Sequence, residues 1–216
     1  MNTESRQPKV ESRADPLLIV ISAPSGGGKT TLCEQLLATR PGIVRAVTCT
    51  TRPPRSGERD GVDYFFLSTD TFQWRVEAGE FLEHATVHGH HYGTLKSEVL
   101  DRLRQGKDVL LAIDVQGAAA VRAKTDADGE LRQALVTVFL TPSSIRTLEE
   151  RLRQRGTDSE AVIQKRLGVA RQEIAEWKRF DYLLISTTIA EDLRRMQVLL
   201  EAEGMRPHRA APPRVD

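Results

Sequence analysis

Residues 17–32, LLIVISAPSGGGKTTL, pass from an apolar strand pattern through a glycine-rich turn into Gly28-Lys29-Thr30 and a helix pattern. A turn of this kind aims successive backbone N–H groups and a helix N-terminus at one point, which suits a polyphosphate. The usual spacing GxxxxGK[ST] begins with glycine, where this chain has Ala23. Gly26, Gly27 and Gly28 stand where the chain must approach the phosphates most closely, so alanine at the first position is tolerable. The chemistry of the motif places Lys29 on the β- and γ-phosphates and the Thr30 hydroxyl on Mg²⁺.

Working outward, apolar runs at Leu17–Ile21, Val109–Ile113, Leu135–Leu140 and Tyr182–Ile185 read as buried strands, each followed by a helical pattern. That alternation predicts an α/β fold, a parallel sheet with helices on both faces. Residues 44–94 break the pattern. VRAVTCTTRP, VDYFFL, FLEHATV and HHYGT read as short strands with one helix, near Asp70 to Ala78, so a mostly β insertion is expected there. A second insertion, 141–175, reads as two helices: Thr141 and Pro142 open the first, and Thr157 with Glu160 forms a capping box for the second. The core is then 17–43, 95–140 and 176–205, with solvated, disordered tails at 1–16 and 206–216.

The 216 residues suffice for one domain of this plan, and 31 Lys and Arg against 30 Asp and Glu leave a net charge of +1. Such a balance gives no global attraction to nucleic acid or acidic membranes, so any anion site is local. Cys33 and Cys49 have no paired spacing, which argues against a disulfide framework or zinc site and points to a reducing compartment, the cytoplasm. The apolar runs are too short to span a bilayer.

The acceptor must be read outside the glycine-rich turn. In TTRPPRSGERDGVDYFF, Arg52 and Arg55 flank two prolines and Tyr64 follows in a strand. Guanidinium forks on a stiffened backbone beside a phenol make a clamp for a second phosphate. Arg151 and Arg155 lie four apart on one helical face, and Arg166 sits on the next helix. His84, His88, His90 and His91 lack a metal-ligand spacing and are assigned structural or surface roles, and Trp74 and Trp177 are assigned to packing. Arg146 and Arg153 have Glu150 and Glu149 as helical partners, and the tail arginines Arg206, Arg209 and Arg214 are taken as solvated.

APSGGGKTTL, TTRPPRSGERDGVDYFF, GEFLEHATVHGHHYGT, AIDVQGA and RLRQRGTDSEAVIQKRL occur in the order and spacing of guanylate kinases, and the chain resembles that family from Leu17 to Glu203. The resemblance implies ATP on Ser25, Gly26, Gly27, Gly28, Lys29, Thr30 and Thr31, and GMP in the β insertion. It implies a GMP-phosphate clamp of Arg52, Arg55, Tyr64 and Tyr92, and contacts at or near the guanine from Thr48, Glu83 and Thr94, with Asp114 among the GMP-site residues. It places Arg151, Arg155 and Arg166 on a mobile lid, where with Lys29 and Mg²⁺ they neutralise the transferring phosphoryl group. The implied substrates are ATP and GMP, with neither nucleic acid nor membrane, in a monomer or homodimer.

The chemistry of Glu83 fits that role. An ionised carboxylate accepts from guanine N1–H and its exocyclic amine, whereas adenine offers neither donor there; such polar discrimination reaches roughly 10⁴-fold. Two stretches depart from the family pattern. Ala112 stands where the family carries the first aspartate of D-x-D, leaving Asp114 alone, and Ser186-Thr187-Thr188 replaces Asn-Asp-Asp. Two other readings remain open at this level: a non-catalytic interaction module related to guanylate kinases, and a kinase of another phosphorylated small molecule.

Overall fold

The structure, a computed structural model, describes residues 15–154, 156 and 158–210. Arg155, Thr157 and Arg214 lie outside the described residues. Five parallel strands form the main sheet in the order β2-β7-β1-β8-β9: β1 (Leu18–Ser22), β2 (Ile43–Arg45), β7 (Asp108–Ala112), β8 (Leu135–Pro142) and β9 (Tyr182–Ser186). The central strand β1 is buried along its whole length, which is why its sequence is continuously apolar rather than alternating.

Successive side chains of β1 serve opposite faces. Ile19 and Ile21 pack with Leu32 and Leu36 of α1 (Lys29–Thr39) and with Met196 and Leu200 of α8 (Ile189–Gly204). Leu18 and Val20 join Val99 and Leu103 of α3 (Lys96–Arg104), Ala118 and Val121 of α4 (Val115–Asp126), and Leu131 of α5 (Gly129–Ala134).

A second sheet, ordered β4-β3-β6-β5, occupies the insertion: β3 (Cys49–Thr50), β4 (Phe65–Phe66), β5 (Phe81–Val87) and β6 (His90–Leu95), with α2 (Thr69–Glu77) against it. Ile43–Arg45 pairs with β7 in the main sheet, so Val44 and Arg45 belong to the core rather than to the insertion. The second insertion contributes α6 (Ile145–Gln154) and α7 (Glu160–Ala175), which share a small core of Leu148, Leu152, Ile163, Leu167 and Ala170.

Three expectations are corrected. Thr141 and Pro142 end β8 instead of opening α6, because the buried run LVTVFLTP keeps pairing with β9. Ser144 takes over the cap, accepting from the Thr147 N–H at 3.1 Å. The tail is not solvated throughout: residues 206–208 are exposed, but Arg209 is 5% exposed, pairs with Glu203, and donates to the carbonyls of Gln133 at 2.8 Å and Leu135 at 3.2 Å. Arg206 also reaches Glu203, at 2.9 Å, so one buried carboxylate recruits both arginines. Finally, Trp74 is 60% exposed and Trp177 38%, so neither indole is a core residue.

Candidate active site

The glycine-rich turn joins β1 to α1 as the motif requires. Gly28 takes φ +98° just before the helix, and the Gly27 N–H closes the turn on the Pro24 carbonyl at 2.8 Å. Gly26, at φ +86°, lies under the second insertion: a Cβ there would meet Leu152 Cδ2 at 2.9 Å. Glycine is therefore demanded twice at Gly26, by conformation and by the close approach of α6. Residues 23–31 line a cavity of about 330 Å³ with Asp114 and Glu173. Lys29 Nζ donates to the Ile113 carbonyl at 2.8 Å, and burial pushes its pKa below the ordinary value against the opposing pull of Asp114.

Glu173, on α7, carries the other carboxylate of this cavity. Burial raises its pKa, partly offset by the Ser25 backbone N–H, and its Oε2 is buried without a partner among the described residues. The Thr30 hydroxyl and the Asp114 and Glu173 carboxylates are hard oxygen donors facing one space, a set that fits Mg²⁺ rather than a softer metal.

A neighbouring cavity of about 300 Å³ gathers Thr48, Tyr64, Glu83, Tyr92, Thr94 and Asp114. Asp114 lines both spaces, which fixes them as adjacent. Its position is secured by a second duty, capping α4 through the Gly117 N–H at 2.7 Å. Glu83 and Thr94 are register partners across β5 and β6, and the Thr94 hydroxyl donates to Glu83 Oε1 at 2.7 Å. Glu83 is 7% exposed; burial raises its pKa above the ordinary 4.5, which the Thr94 bond only moderates. Gly93 permits the narrow strand pairing here, since a Cβ would stand 2.8 Å from the Phe81 ring.

Arg52 packs at the rim, its guanidinium carbon 5.3 Å from the Tyr64 ring centroid, and the Tyr64 and Tyr92 rings meet edge-on at 6.3 Å. Both oxygens of Glu58 accept from Arg52 Nη2, at 2.9 and 3.0 Å. The Arg55 side chain is exposed, but its backbone N–H also binds Glu58 Oε2 at 2.7 Å.

The third space, about 520 Å³, lies on the other side of Gly26 and Gly28 and is lined by Arg151, Gln154, Ser186–Ile189 and Asp192. Arg151 donates to Ser186 Oγ at 3.2 Å, so the structure draws it to the β9–α8 junction. Buried Asp192 orders that junction by accepting from Ser186 Oγ at 2.7 Å and the Thr187 N–H at 2.9 Å. Arg166 is not brought to these cavities' walls; it pairs with Asp158 at 2.9 Å. Arg146 and Arg153 pair with Glu150 and Glu149 as their helical spacing implies. His91 stacks on Phe72 at 5.3 Å and bonds Thr86, and no cluster of three or more His, Cys, Asp or Glu capable of holding a metal occurs among the described residues.

Glu58, Glu173 and Asp192 were not singled out from the sequence. Glu58 lies inside a motif already marked, and the need of Arg52 for an anion was the available signal. Glu173 and Asp192 reach their sites only through long-range packing, which a helical pattern does not encode.

Residues 16–203 match the guanylate kinase family. The chain is 41% identical to a guanylate kinase of Maricaulis maris over 199 residues, covering 92% of this chain and 88% of that protein. It is 43% identical to a guanylate kinase of Coxiella burnetii over 188 residues, 87% of this chain and 88% of that one. A crystal structure of guanylate kinase from Anaplasma phagocytophilum superposes with a TM-score of 0.67 at 32% identity, covering 92% of this chain and 91% of that chain. With a glycine-rich phosphate cradle adjoining a second polar cavity and matches across nearly its whole length, the chain belongs to the guanylate kinase family.

Proposed function

We propose that the protein transfers the γ-phosphoryl group of ATP to GMP, and also to dGMP, yielding ADP and the nucleoside diphosphate. The observation that carries this reading is buried Glu83, held by Thr94 in a cavity that shares Asp114 with the phosphate cradle. A carboxylate in that position accepts from guanine N1–H and the exocyclic amine, and a base lacking those donors leaves it unpaired.

A phosphate oxygen of GMP attacks the γ-phosphorus in line, the new P–O bond forms, and the bond to the β-phosphate oxygen breaks. The attacking oxygen is already anionic, so no general base is required. The work of the chain is positioning and charge neutralisation. Residues 25–31 bind the ATP phosphates, with Lys29 on the β- and γ-groups; Arg52, Arg55, Tyr64 and Tyr92 orient the acceptor phosphate. Thr48 and Thr94 frame the base with Glu83. Thr30 with the Asp114 and Glu173 carboxylates would hold Mg²⁺, which would add charge neutralisation at the phosphates.

Closure of the 141–175 segment is the step we assign to Arg151, Arg155 and Arg166, which then screen the transferring group and exclude water. The Ser186 and Asp158 partners of Arg151 and Arg166 release them in that step. The cytoplasm is the proposed location, consistent with two free, buried cysteines; no helix among the described residues is long and apolar enough to cross a membrane.

A coupled assay for ADP release, with GMP, dGMP, AMP, UMP and ribose bisphosphate at equal concentration, tests the reading. Turnover confined to the guanine nucleotides is expected. Folded protein that ignores GMP in the presence of Mg²⁺ and ATP overturns it.

A further inference from the structure

We propose that Glu58 is a positioning residue of the acceptor-phosphate clamp, holding the Arg52 guanidinium in the orientation that receives the GMP phosphate. The inference rests on the GMP reading above. Arg52 and Glu58 are mutually sheltered, with side chains 11% and 20% exposed. The Glu58 carboxylate covers Nη2 of Arg52 with both oxygens, and the Pro53 carbonyl takes Nη1 at 2.6 Å. Glu58 thus takes one guanidinium nitrogen and Pro53 a second, while Nε–H is bonded to neither.

The loop is built to return Glu58 to this place. Pro53 and Pro54 stiffen the chain after Arg52, and Gly57, at φ +89°, reverses it. The turn is then closed from both sides: the Glu58 N–H donates to the Arg55 carbonyl at 3.1 Å, while the Arg55 N–H donates to Glu58 Oε2 at 2.7 Å. The guanidinium is further held over the Tyr64 ring, its carbon 5.3 Å from the ring centroid.

A carboxylate beside an arginine that binds phosphate can act in two opposite ways. As a placeholder it leaves when the phosphate arrives; as a brace it stays and fixes the fork. The second anchor decides for the brace. An acceptor phosphate that displaced Glu58 from Arg52 would still leave it bonded to the Arg55 main chain, close enough to repel the dianion. Remaining on Nη2, it leaves the Nε–H donor to the phosphate. An arginine fixed in advance loses less freedom on binding.

Steady-state kinetics on the full-length protein with Glu58→Ala and Glu58→Gln test this. Glu58→Ala should raise KM for GMP about tenfold or more while KM for ATP and kcat stay within about threefold, and Glu58→Gln should fall between, since its amide oxygen still accepts from Arg52 but its nitrogen cannot accept from Arg55. A loss confined to KM for GMP separates positioning from general damage to the fold. An unchanged or lowered KM for GMP overturns the inference.

Should Glu58→Ala fail to fold, calorimetric GMP binding to Glu58→Gln decides: weaker binding supports the brace, and equal or tighter binding refutes it. Variants that match a wild type active on GMP refute the brace alone, whereas a wild type that ignores GMP removes the GMP reading and the brace with it.

Discussion

Lys29 Nζ donates to the main-chain carbonyl of Ile113 at 2.8 Å, tying the start of α1 to the end of β7. An ammonium has three hydrogens, so two remain for phosphate oxygens while the third fixes the direction of approach. Replacing Lys29 with Met removes the charge at nearly constant volume. Turnover should fall about 10²–10³-fold, as for loss of a preorganised donor to a developing charge, with the GMP dissociation constant unchanged by calorimetry.

Burial sets two opposite pH trends at Glu83. Its folded pKa lies above the ordinary 4.5, so between those values the native state holds a proton that the unfolded chain has lost. Its contribution to stability therefore rises as pH falls through that window and is lost as pH rises through the folded value. GMP binding, which needs the ionised carboxylate, weakens over the same acid window. Calorimetric GMP titrations against pH should show a midpoint above 4.5 that Glu83→Gln abolishes. The variant should bind GMP roughly tenfold or more weakly at neutral pH, the loss expected from removing a charged hydrogen-bond acceptor.

Asp192 is 6% exposed and holds both Ser186 Oγ and the Thr187 N–H. Removing it leaves two donors without an acceptor at the junction where Arg151 docks. Asp192→Ala should cost about 1–3 kcal/mol in urea unfolding, with little change in m-value. An unchanged midpoint would refute this account of the junction.

Cys33 and Cys49 are buried, and loss of hydration pushes each thiol up to about 11. The thiolate is the reactive form, so the native protein should resist iodoacetamide at pH 8 and both cysteines should label after unfolding. Rapid native labelling, read by mass spectrometry, would place at least one thiol at the surface.

The parallel sheet and the phosphate cradle were legible because their signals are local. A continuous apolar run marks β1, and three glycines with Lys29 and Thr30 mark the turn. Glu83 and Thr94 were legible through family resemblance, and their pairing follows from the hairpin register. Other features are set by partners distant in sequence. Thr141 and Pro142 resemble a helix start, yet pairing with β9 extends the strand through them. Arg209 lies in a polar, proline-rich stretch that local composition assigns to solvent, and only the buried Glu203 and the carbonyls of Gln133 and Leu135 give it a place. Trp74 errs the other way: its size suggests packing, but it stands 60% exposed on α2.

The Arg209 clasp reaches one residue further, since its carbonyl accepts from the Asp15 N–H at 2.9 Å. Entry to the central strand is thereby stitched to the segment beyond the last helix. Fraying at either place exposes the other, so amide exchange at the two should rise and fall together, and trimming back to Glu203 would loosen the threshold of β1 as well as the end it removes.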